Sequence, residues 1–391
     1  MDHATQVALT RRVLDFVERS TTELADDIYR NPVSSYTSTE QAARERDVFF
    51  RRHPLFFGLS CELPKPGDYR ADDLSGVPIL VVRARDGRLN AFLNVCRHRG
   101  AKIATGCGSG KRAFVCPYHA WTYDLEGRLL KLYPEFAFPG LTREEHSLVP
   151  VPVAERHGLI WVQASPGGSI DVDALLGGLA PEIASYELAG YSHYKTATLA
   201  KDMNWKLVID TFLETWHVVT LHKQTVAPIF QPNLNVFDAF GRNGRLVIPR
   251  RSLLDLKKEP EDSWDFLKHS AIVYTLFPNA LLVWQGDHIE TWRAFPVGEA
   301  TAKCVTEAAL FTPEPAVTDK EKRHWDRNMD LLMSTVEVED FPVCLDIQRG
   351  FGAQAQPHIT FGGHEPALGH YHRCIQEALG LAPADTRSAM S

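Results

Sequence analysis

Cys96-Arg97-His98-Arg99-Gly100 and, with seventeen residues between His98 and Cys116, Cys116-Pro117-Tyr118-His119-Ala120-Trp121 decide how this sequence is read. Each segment supplies one thiol and one imidazole, as Cys-x-His and Cys-x-x-His. Zinc sites of two Cys and two His usually keep the cysteines in one segment and the histidines in the other. Here both segments mix them. A [2Fe–2S] centre with thiolates on one iron and imidazoles on the other needs that mixture. Neutral imidazoles in place of two anionic thiolates also make the reduced cluster easier to reach. A zinc site, or an accidental pairing, would draw on the same residue types.

The residues around these loops read as short strands. Val77–Ala84 and Leu89–Val95 flank Asp86-Gly87, a strong hairpin signal, and Trp121–Leu125 and Arg128–Leu132 flank Glu126-Gly127. Leu159–Ala164 follows His157-Gly158. The density of turns predicts a small all-β module over 46–165, ended by the Ser-Pro-Gly-Gly-Ser stretch at 165–169. Before it, Val7, Val13, Phe16, Val17 and Leu24 predict a helical segment within 1–45. After it, 166–391 reads as mixed: a helix over Lys206–Val219, strands over Ile272–Trp284, His288–Phe295 and Lys303–Thr312, and helices over Asp319–Thr335 and Tyr371–Leu379.

A second constellation lies in Asn204-Trp205-Lys206-Leu207-Val208-Ile209-Asp210-Thr211-Phe212-Leu213-Glu214-Thr215-Trp216-His217-Val218-Val219-Thr220-Leu221-His222. In a continuous helix, Asp210, Glu214 and His217 fall on one face. His222 comes five residues later, where such a helix would end. Two histidines and one carboxylate on one face of an iron form the facial triad of non-haem Fe(II) oxygenases, with open positions for O₂ and substrate. A surface helix carrying two satisfied histidines is the plainer alternative.

Together, the Cys-Pro-Tyr-His-Ala-Trp loop and the Asn-Trp-Lys…His-x4-His stretch resemble the α subunits of Rieske non-haem iron oxygenases. The resemblance runs over most of the chain, from about residue 40 to 380. It implies an α+β protein: a small antiparallel β Rieske domain, then a helix-grip (START-like) catalytic domain with a curved antiparallel sheet. It implies Cys96, His98, Cys116 and His119 as cluster ligands, and His217 and His222 as ligands of a mononuclear Fe(II). Respiratory Rieske proteins carry an extra cysteine in each loop, whereas this chain has Ala101 and Tyr118 there. Ala120 stands where the family usually has Gly. Glu214 holds the place of the family's bridging Asp, implying a link from His217 to His119 of a neighbouring subunit. Val338-Glu339-Asp340-Phe341-Pro342-Val343-Cys344-Leu345-Asp346-Ile347-Gln348-Arg349-Gly350 looks like the family's downstream ligand segment, with Asp340 as third ligand and Asp346 and Glu339 as rivals.

The resemblance further implies a homotrimer without a β subunit, O₂ as co-substrate, and electrons from a NAD(P)H-dependent reductase, with or without a ferredoxin. The substrate is expected to be a small molecule, most often aromatic in this family. Hydroxylation, cis-dihydroxylation and oxidative demethylation all stay open, as does a quaternary amine of the carnitine or betaine type, because the Glu bridge occurs in such branches. Two further alternatives are a Rieske electron carrier with a fused non-catalytic domain and a zinc-stabilised binding module.

Composition agrees with this. The 391 residues suit two domains, at ~100–200 residues each, and 44% hydrophobic with 23% charged residues is ordinary for a globular chain. A formal charge of −7 argues against nucleic acid as a partner. No apolar run reaches the ~20 residues of a membrane helix. With no apolar leader near Met1 and seven cysteines in no disulfide pattern, a cytoplasmic location is expected. Cys61, Cys107, Cys304, Cys344 and Cys374 have no metal spacing. Gly106–Lys111 fails the phosphate-loop pattern, since Arg112 stands where Ser or Thr is required, so no nucleotide site is expected. Arg250-Arg251, after an apolar stretch, reads as a solvated pair, with contact to a carboxylate substrate as the alternative, and Trp205, Trp216, Trp284 and Trp292 read as core, with the lining of an apolar pocket as the alternative.

Overall fold

A computed structural model describes residues 1–381 of the chain. One unit runs from Arg46–Leu175; the other joins Met1–Glu45 to the chain from Leu176 onward. The break falls at Leu175, past the glycine-rich turn at 165–169.

The unit from Arg46–Leu175 is built of short antiparallel strands. Ile79–Arg83 pairs with Leu89–Leu93 across Asp86-Gly87, where Gly87 takes φ +84°. Tyr69–Asp72 and Cys107–Gly108 extend this sheet on the other side. Backbone groups of the glycine-rich 106–111 segment thus serve a sheet edge. Phe114–Val115, Thr122–Tyr123 and Leu129–Lys131 form a second sheet, and Val153–Arg156, Leu159–Val162 and Leu55–Leu59 a third. The Ile79–Arg83 strand is buried on both faces. Leu80 and Val82 enter one apolar cluster with Phe92, Phe114, Trp121 and Tyr123, while Ile79 and Val81 enter another with Ile160 and Val162. Side chains alternate across a strand, so a strand with two buried faces is apolar on both, here up to Arg83, whose buried guanidinium donates to Glu155 at 2.8 Å.

The other unit carries one seven-stranded antiparallel sheet. Its strands are β1 (Ser192–Lys201), β2 (Val236–Phe240), β3 (Asn243–Pro249), β4 (Ser270–Leu276), β5 (Ala280–Trp284), β6 (Ile289–Pro296) and β7 (Cys304–Thr312), in the order β1-β7-β6-β5-β4-β3-β2. The apolar run expected as one strand over Ile272–Trp284 is a hairpin. Its turn at Phe277-Pro278-Asn279 is held by side chains: Asn243 Oδ1 accepts from Phe277 N at 3.0 Å, and Asn279 donates to Ala294 O at 3.0 Å. Strands Tyr29–Pro32 and His358–Phe361 pair antiparallel, tying the N-terminal segment to this unit.

Besides the short helices before the sheet, among them Thr39–Asp47, this unit carries α1 (His3–Glu18), α2 (Trp205–Asp210), α3 (Val218–Leu221), α4 (Asp319–Met333), α5 (Phe341–Gly352) and α6 (Pro366–Ala378). The expected continuous helix over Lys206–Val219 is therefore two short helices joined by the 211–217 turn. Asp210 does not share a face with Glu214 and His217. It turns inward, accepting from Tyr36 Oη at 2.6 Å and from His372 Nε2 at 2.8 Å. Between α4 and α5, Ser334–Asp340 forms a π-helical stretch, a distortion that often accompanies functional sites.

The start of α2 explains the Asn-Trp-Lys triplet. Asn204 caps the helix, its side chain accepting from Lys206 N at 3.0 Å. Its amide donates to Tyr36 O at 3.0 Å and Thr301 O at 2.9 Å, and its backbone N–H donates to Gln348 Oε1 on α5 at 2.8 Å. Lys206 is fully buried, with Nζ 2.8 Å from both oxygens of Glu45, itself 2% exposed. Trp205 Nε1 donates to the same carboxylate at 3.1 Å. Removing one member of a buried pair leaves an uncompensated charge. Glu45→Ala should therefore lower unfolding free energy by about 3–5 kcal/mol in urea titrations, and Glu45→Leu with Lys206→Met should recover most of it. A loss for Glu45→Ala below about 1 kcal/mol would show that the pair does not anchor α2.

Candidate functional site

In the Arg46–Leu175 unit, the two Cys/His loops are tight turns of similar build. Gly100 N donates to Cys96 O at 2.9 Å and Cys96 N to Ala101 O at 2.8 Å. In the other loop, Ala120 N donates to Cys116 O at 3.0 Å and Cys116 N to Trp121 O at 2.8 Å. Gly100 takes φ +81° and Ala120 φ +57°. A left-handed residue closes each loop, which is why the resembling family favours Gly at 120. Alanine adopts that conformation at a cost of roughly 1–2 kcal/mol.

Cys96 and Cys116 lie 2% and 3% exposed in the apolar cluster, while His98 and His119 are only half-buried. The imidazole centroids are 4.6 Å apart, and His98 stacks on Trp121 at 4.9 Å. Nδ1 of His98 and Nδ1 of His119 are both shielded from solvent with no hydrogen-bond partner. Two buried thiols and two orphaned imidazole nitrogens are the donor set a [2Fe–2S] cluster takes. They are spread too widely for one ion. Among the described residues, only His217, His222 and Asp340 place ligand atoms of three metal-binding side chains within 4.8 Å of one another. This disfavours zinc at the loops, since its tetrahedral ligands crowd a single centre.

That second group lies in the larger unit. His222 Nε2 is 3.0 Å and His217 Nε2 3.6 Å from Asp340 Oδ1, with imidazole centroids 5.0 Å apart. The outer nitrogens are also held. His217 Nδ1 donates to Glu214, and His222 Nδ1 to Glu339 Oε2 at 2.6 Å. Carboxylates on Nδ1 fix the tautomer, leave Nε2 free for a metal and raise its basicity. Thr225 Oγ1 in turn donates to Glu339 at 2.6 Å. Glu214 also accepts from the backbone N–H groups of Trp216 and His217, which shapes the 211–217 turn.

Burial raises the Asp340 carboxyl above its ordinary range. Burial lowers His222, but Asp340 and Glu339 outweigh it and hold the imidazole above its ordinary value. Three carboxylates around two imidazoles leave excess negative charge, which a divalent cation would neutralise.

Asp340 ends the π-helical stretch and precedes α5, yet its side chain makes no capping bond. Asp346 has a side chain 75% exposed and pairs with Arg349 at 2.9 Å, away from the group. Glu339 supports His222 through Nδ1; adjacency to Asp340 was its only signal in the sequence. Cys344 packs on α2, its Sγ 3.1 Å from Thr211 Oγ1. The Arg250-Arg251 pair divides: Arg251 is exposed, whereas Arg250 is half-buried and lines a cavity.

That cavity, of about 430 Å³, is bounded on one side by Glu214, His217, His222 and Asp340. Its lining is mixed: Val218, Val226, Ile229, Phe230, Val273 and Leu332 stand beside Arg250, Lys268, Asp287, His288, Glu290 and Asn328. Such a chamber, with apolar walls and convergent polar groups, has the size of a small-molecule site. No described helix is long and apolar enough to cross a membrane.

Comparison with known proteins was consistent with this geometry. Residues 188–381 match the ring hydroxylating alpha subunit (catalytic domain) family, and 53–138 match the Rieske [2Fe-2S] domain. The chain is 32% identical over 206 residues to the glycine betaine monooxygenase oxygenase subunit of Chromohalobacter salexigens, covering 51% of this chain and 44% of that protein. It is 28% identical over 370 residues to the chloroplastic choline monooxygenase of Beta vulgaris, covering 90% and 78%. Its fold is similar to that of the quaternary ammonium Rieske monooxygenase CntA in complex with L-carnitine, with a TM-score of 0.78, 19% identity, and coverage of 91% and 96%.

One cavity residue gives the protein a pH signature. His288 is 4% exposed, with Nδ1 2.7 Å from Asp287 and Nε2 3.6 Å from Glu290. Burial opposes its charge, but the two carboxylates prevail and raise its pKa to about 9. His324 also approaches Asp287, at 3.5 Å. A folded pKa above the unfolded value of about 6.5 stabilises fully below pH ~6.5 and is lost as pH rises through about 9. Urea midpoints of the wild type should therefore fall between pH 6.5 and 9 by an amount on the order of 3 kcal/mol beyond that of His288→Gln. Parallel pH profiles for the two proteins would contradict this.

Proposed function

Because the chain belongs to the family of Rieske-type ring-hydroxylating oxygenase α subunits, we propose that it is a terminal oxygenase component. In this reading it uses O₂, and electrons from a NAD(P)H-dependent reductase, to hydroxylate or oxidatively demethylate a small organic substrate. The observation that carries the reading is the convergence of His217, His222 and Asp340 within 4.8 Å at the wall of a cavity. In the same reading Cys96, His98, Cys116 and His119 hold the cluster. When bound, the cluster supplies electrons one at a time and the mononuclear iron activates O₂.

The chain's own residues do the rest. Glu339 and Glu214 hold the two imidazoles by Nδ1 and keep Nε2 aimed at Asp340. Valine, isoleucine and leucine side chains exclude water and hold the substrate beside the metal. Glu214 keeps a second role: besides binding His217 it reaches, in an assembled homotrimer, His119 of a neighbouring subunit. There it would carry the hydrogen-bonded path for an electron and its proton. A reductase acting with or without a ferredoxin, and a cytoplasmic location, complete the proposal.

The substrate class favoured is a quaternary amine. Relatives act on glycine betaine and choline, and the similar CntA structure holds L-carnitine. This reading is preferred to an aromatic substrate and aromatic hydrocarbon catabolism, although dioxygenation of a ring remains chemically available to the same metal group.

Iron analysis tests the assignment. The wild type should hold about three irons per chain, two in the cluster and one at the histidine group. His222→Ala should hold two, keep the visible absorption of the cluster and lose substrate-dependent O₂ uptake. A wild type with two irons, or a colourless zinc protein, would leave the electron-carrier or binding-module alternative standing. Glu214→Gln should retain all three irons yet turn over about 10- to 100-fold more slowly, as replacing a metal ligand's carboxylate support does elsewhere. Turnover equal to wild type would remove Glu214 from the electron path.

A further inference from the structure

Arg250 follows directly on β3, and its main chain is fixed at both neighbours. Its backbone N–H donates to His269 O at 2.8 Å, and the residue bridges to Phe230. The guanidinium therefore starts from a rigid base and lines the cavity that holds the His217–His222–Asp340 group. Nη2 donates to the backbone carbonyl of Gln285. Gly286, the next residue, takes φ +94°, and a Cβ there would stand 3.4 Å from Nη2. Glycine at 286 thus lets the main chain run close past the guanidinium.

The rest of the guanidinium is not satisfied. Arg250 Nε is shielded from solvent and has no hydrogen-bond partner. A guanidinium carries five N–H donors in a planar fork. Among the described residues no carboxylate forms an ion pair with this one, which sets it apart from the other charged groups of the cavity. Lys268 pairs with Asp265 at 2.8 Å, His288 with Asp287 at 2.7 Å, and Glu290 faces His288 at 3.6 Å. Glu214 is taken by His217, and Asp340 faces His222 at 3.0 Å. The cavity therefore presents an unpaired cation and no unpaired anion beyond the metal group. Buried unsatisfied donors are rare in native proteins because they cost free energy, so each one calls for a partner.

We infer that Arg250 is the anchor for a carboxylate on the substrate, received by its remaining Nη N–H donors, so that the chain takes small carboxylates with an apolar or methylated body. This rests on the cavity being the substrate site, as proposed above. It narrows that proposal to a structural requirement: zwitterions such as glycine betaine and L-carnitine carry the carboxylate, and choline does not. A planar carboxylate matches the guanidinium fork with two parallel charge-assisted bonds. The surrounding wall of Ile248, Phe230 and Val273 supplies the low-dielectric setting in which such bonds are strongest. Arg250 is a specificity-determining residue in this account. Positioning of O₂ and of the reacting carbon belongs to the metal side of the cavity.

The test is calorimetric titration of the anaerobic holoenzyme with matched probes: glycine betaine, L-carnitine and benzoate, each against its own carboxamide, with choline as a further cation. The wild type should bind at least one acid about tenfold or more tighter than its carboxamide or choline. Arg250→Gln should weaken that acid by about 10- to 100-fold and shift its carboxamide less than about twofold, with Arg250→Lys recovering part of the loss. Iron content and cluster absorption of each variant show that it is folded. Equal weakening of acid and amide, no weakening, or no preference for any acid would overturn the inference. So would failure of every acid to bind the wild type at about 10 mM. Failure of the oxygenase assignment reads out separately, as two irons per wild-type chain whatever Arg250 does.

Discussion

Lys206 is the charge around which the larger unit is organised. A fully buried ammonium is tolerated only with a matched anion, and Glu45 supplies it from the helical segment Thr39–Asp47. The same carboxylate takes the Trp205 indole N–H, and the lysine lies against the Trp205 and Tyr36 rings at 5.0 and 5.7 Å. One buried pair therefore fixes the N-terminal segment and the first turn of α2 together. Asn204 extends the constraint to α5 through Gln348. Since α2 leads into the 211–217 turn and α5 follows Asp340, this lattice sets the distance between the histidines and their carboxylate.

At the histidine group, electrostatics rather than packing dominates. Glu214, Glu339 and Asp340 surround two imidazoles in a setting where burial penalises every charge. Each imidazole spends Nδ1 on a carboxylate, so both Nε2 atoms face Asp340. The excess negative charge and the free nitrogens answer the same need, a divalent cation. The cluster loops achieve the complementary result by burial alone. Their cysteines sit in the apolar core, their imidazoles reach the surface, and the ring nitrogens are left without protein partners. Ala120 shows that the loop geometry is obligatory, because a residue with a Cβ holds the left-handed conformation there.

The cavity joins these themes. Its apolar lining comes from β3, β4, β5, α4 and the α3 region, the His217–His222–Asp340 group from the two ends of α3 and the π-helical stretch before α5, and its one unpaired cation from the residue after β3. In the sequence, a double arginine after a strand reads first as a solvated pair and second as a contact for a carboxylate. Only the position of Arg250 beside Gln285 and Gly286 removes it from water.

Much was legible from residue identity alone. Cys96, His98, Cys116 and His119 point to an iron–sulfur centre because few other chemistries need thiol and imidazole in both of two loops. The hairpins at Asp86-Gly87 and Glu126-Gly127 follow from local turn chemistry. His217 and His222 were readable by spacing, although the supposed helix carrying them was not. Glu214 bonds the backbone N–H groups of Trp216 and His217, and that competition ends the helix at Asp210. Asp210 consequently belongs to a buried network with Tyr36 and His372, which sequence spacing cannot reveal. The choice of Asp340 over Asp346, the support Glu339 gives His222, and the isolation of Arg250 all depend on contacts between segments more than a hundred residues apart, or on adjacent strand ends. Sequence fixes which chemistry the side chains can perform. Which of them meet, and which lose water, is decided when the sheet and α4–α5 close around one cavity, because burial and pairing are properties of the packed chain.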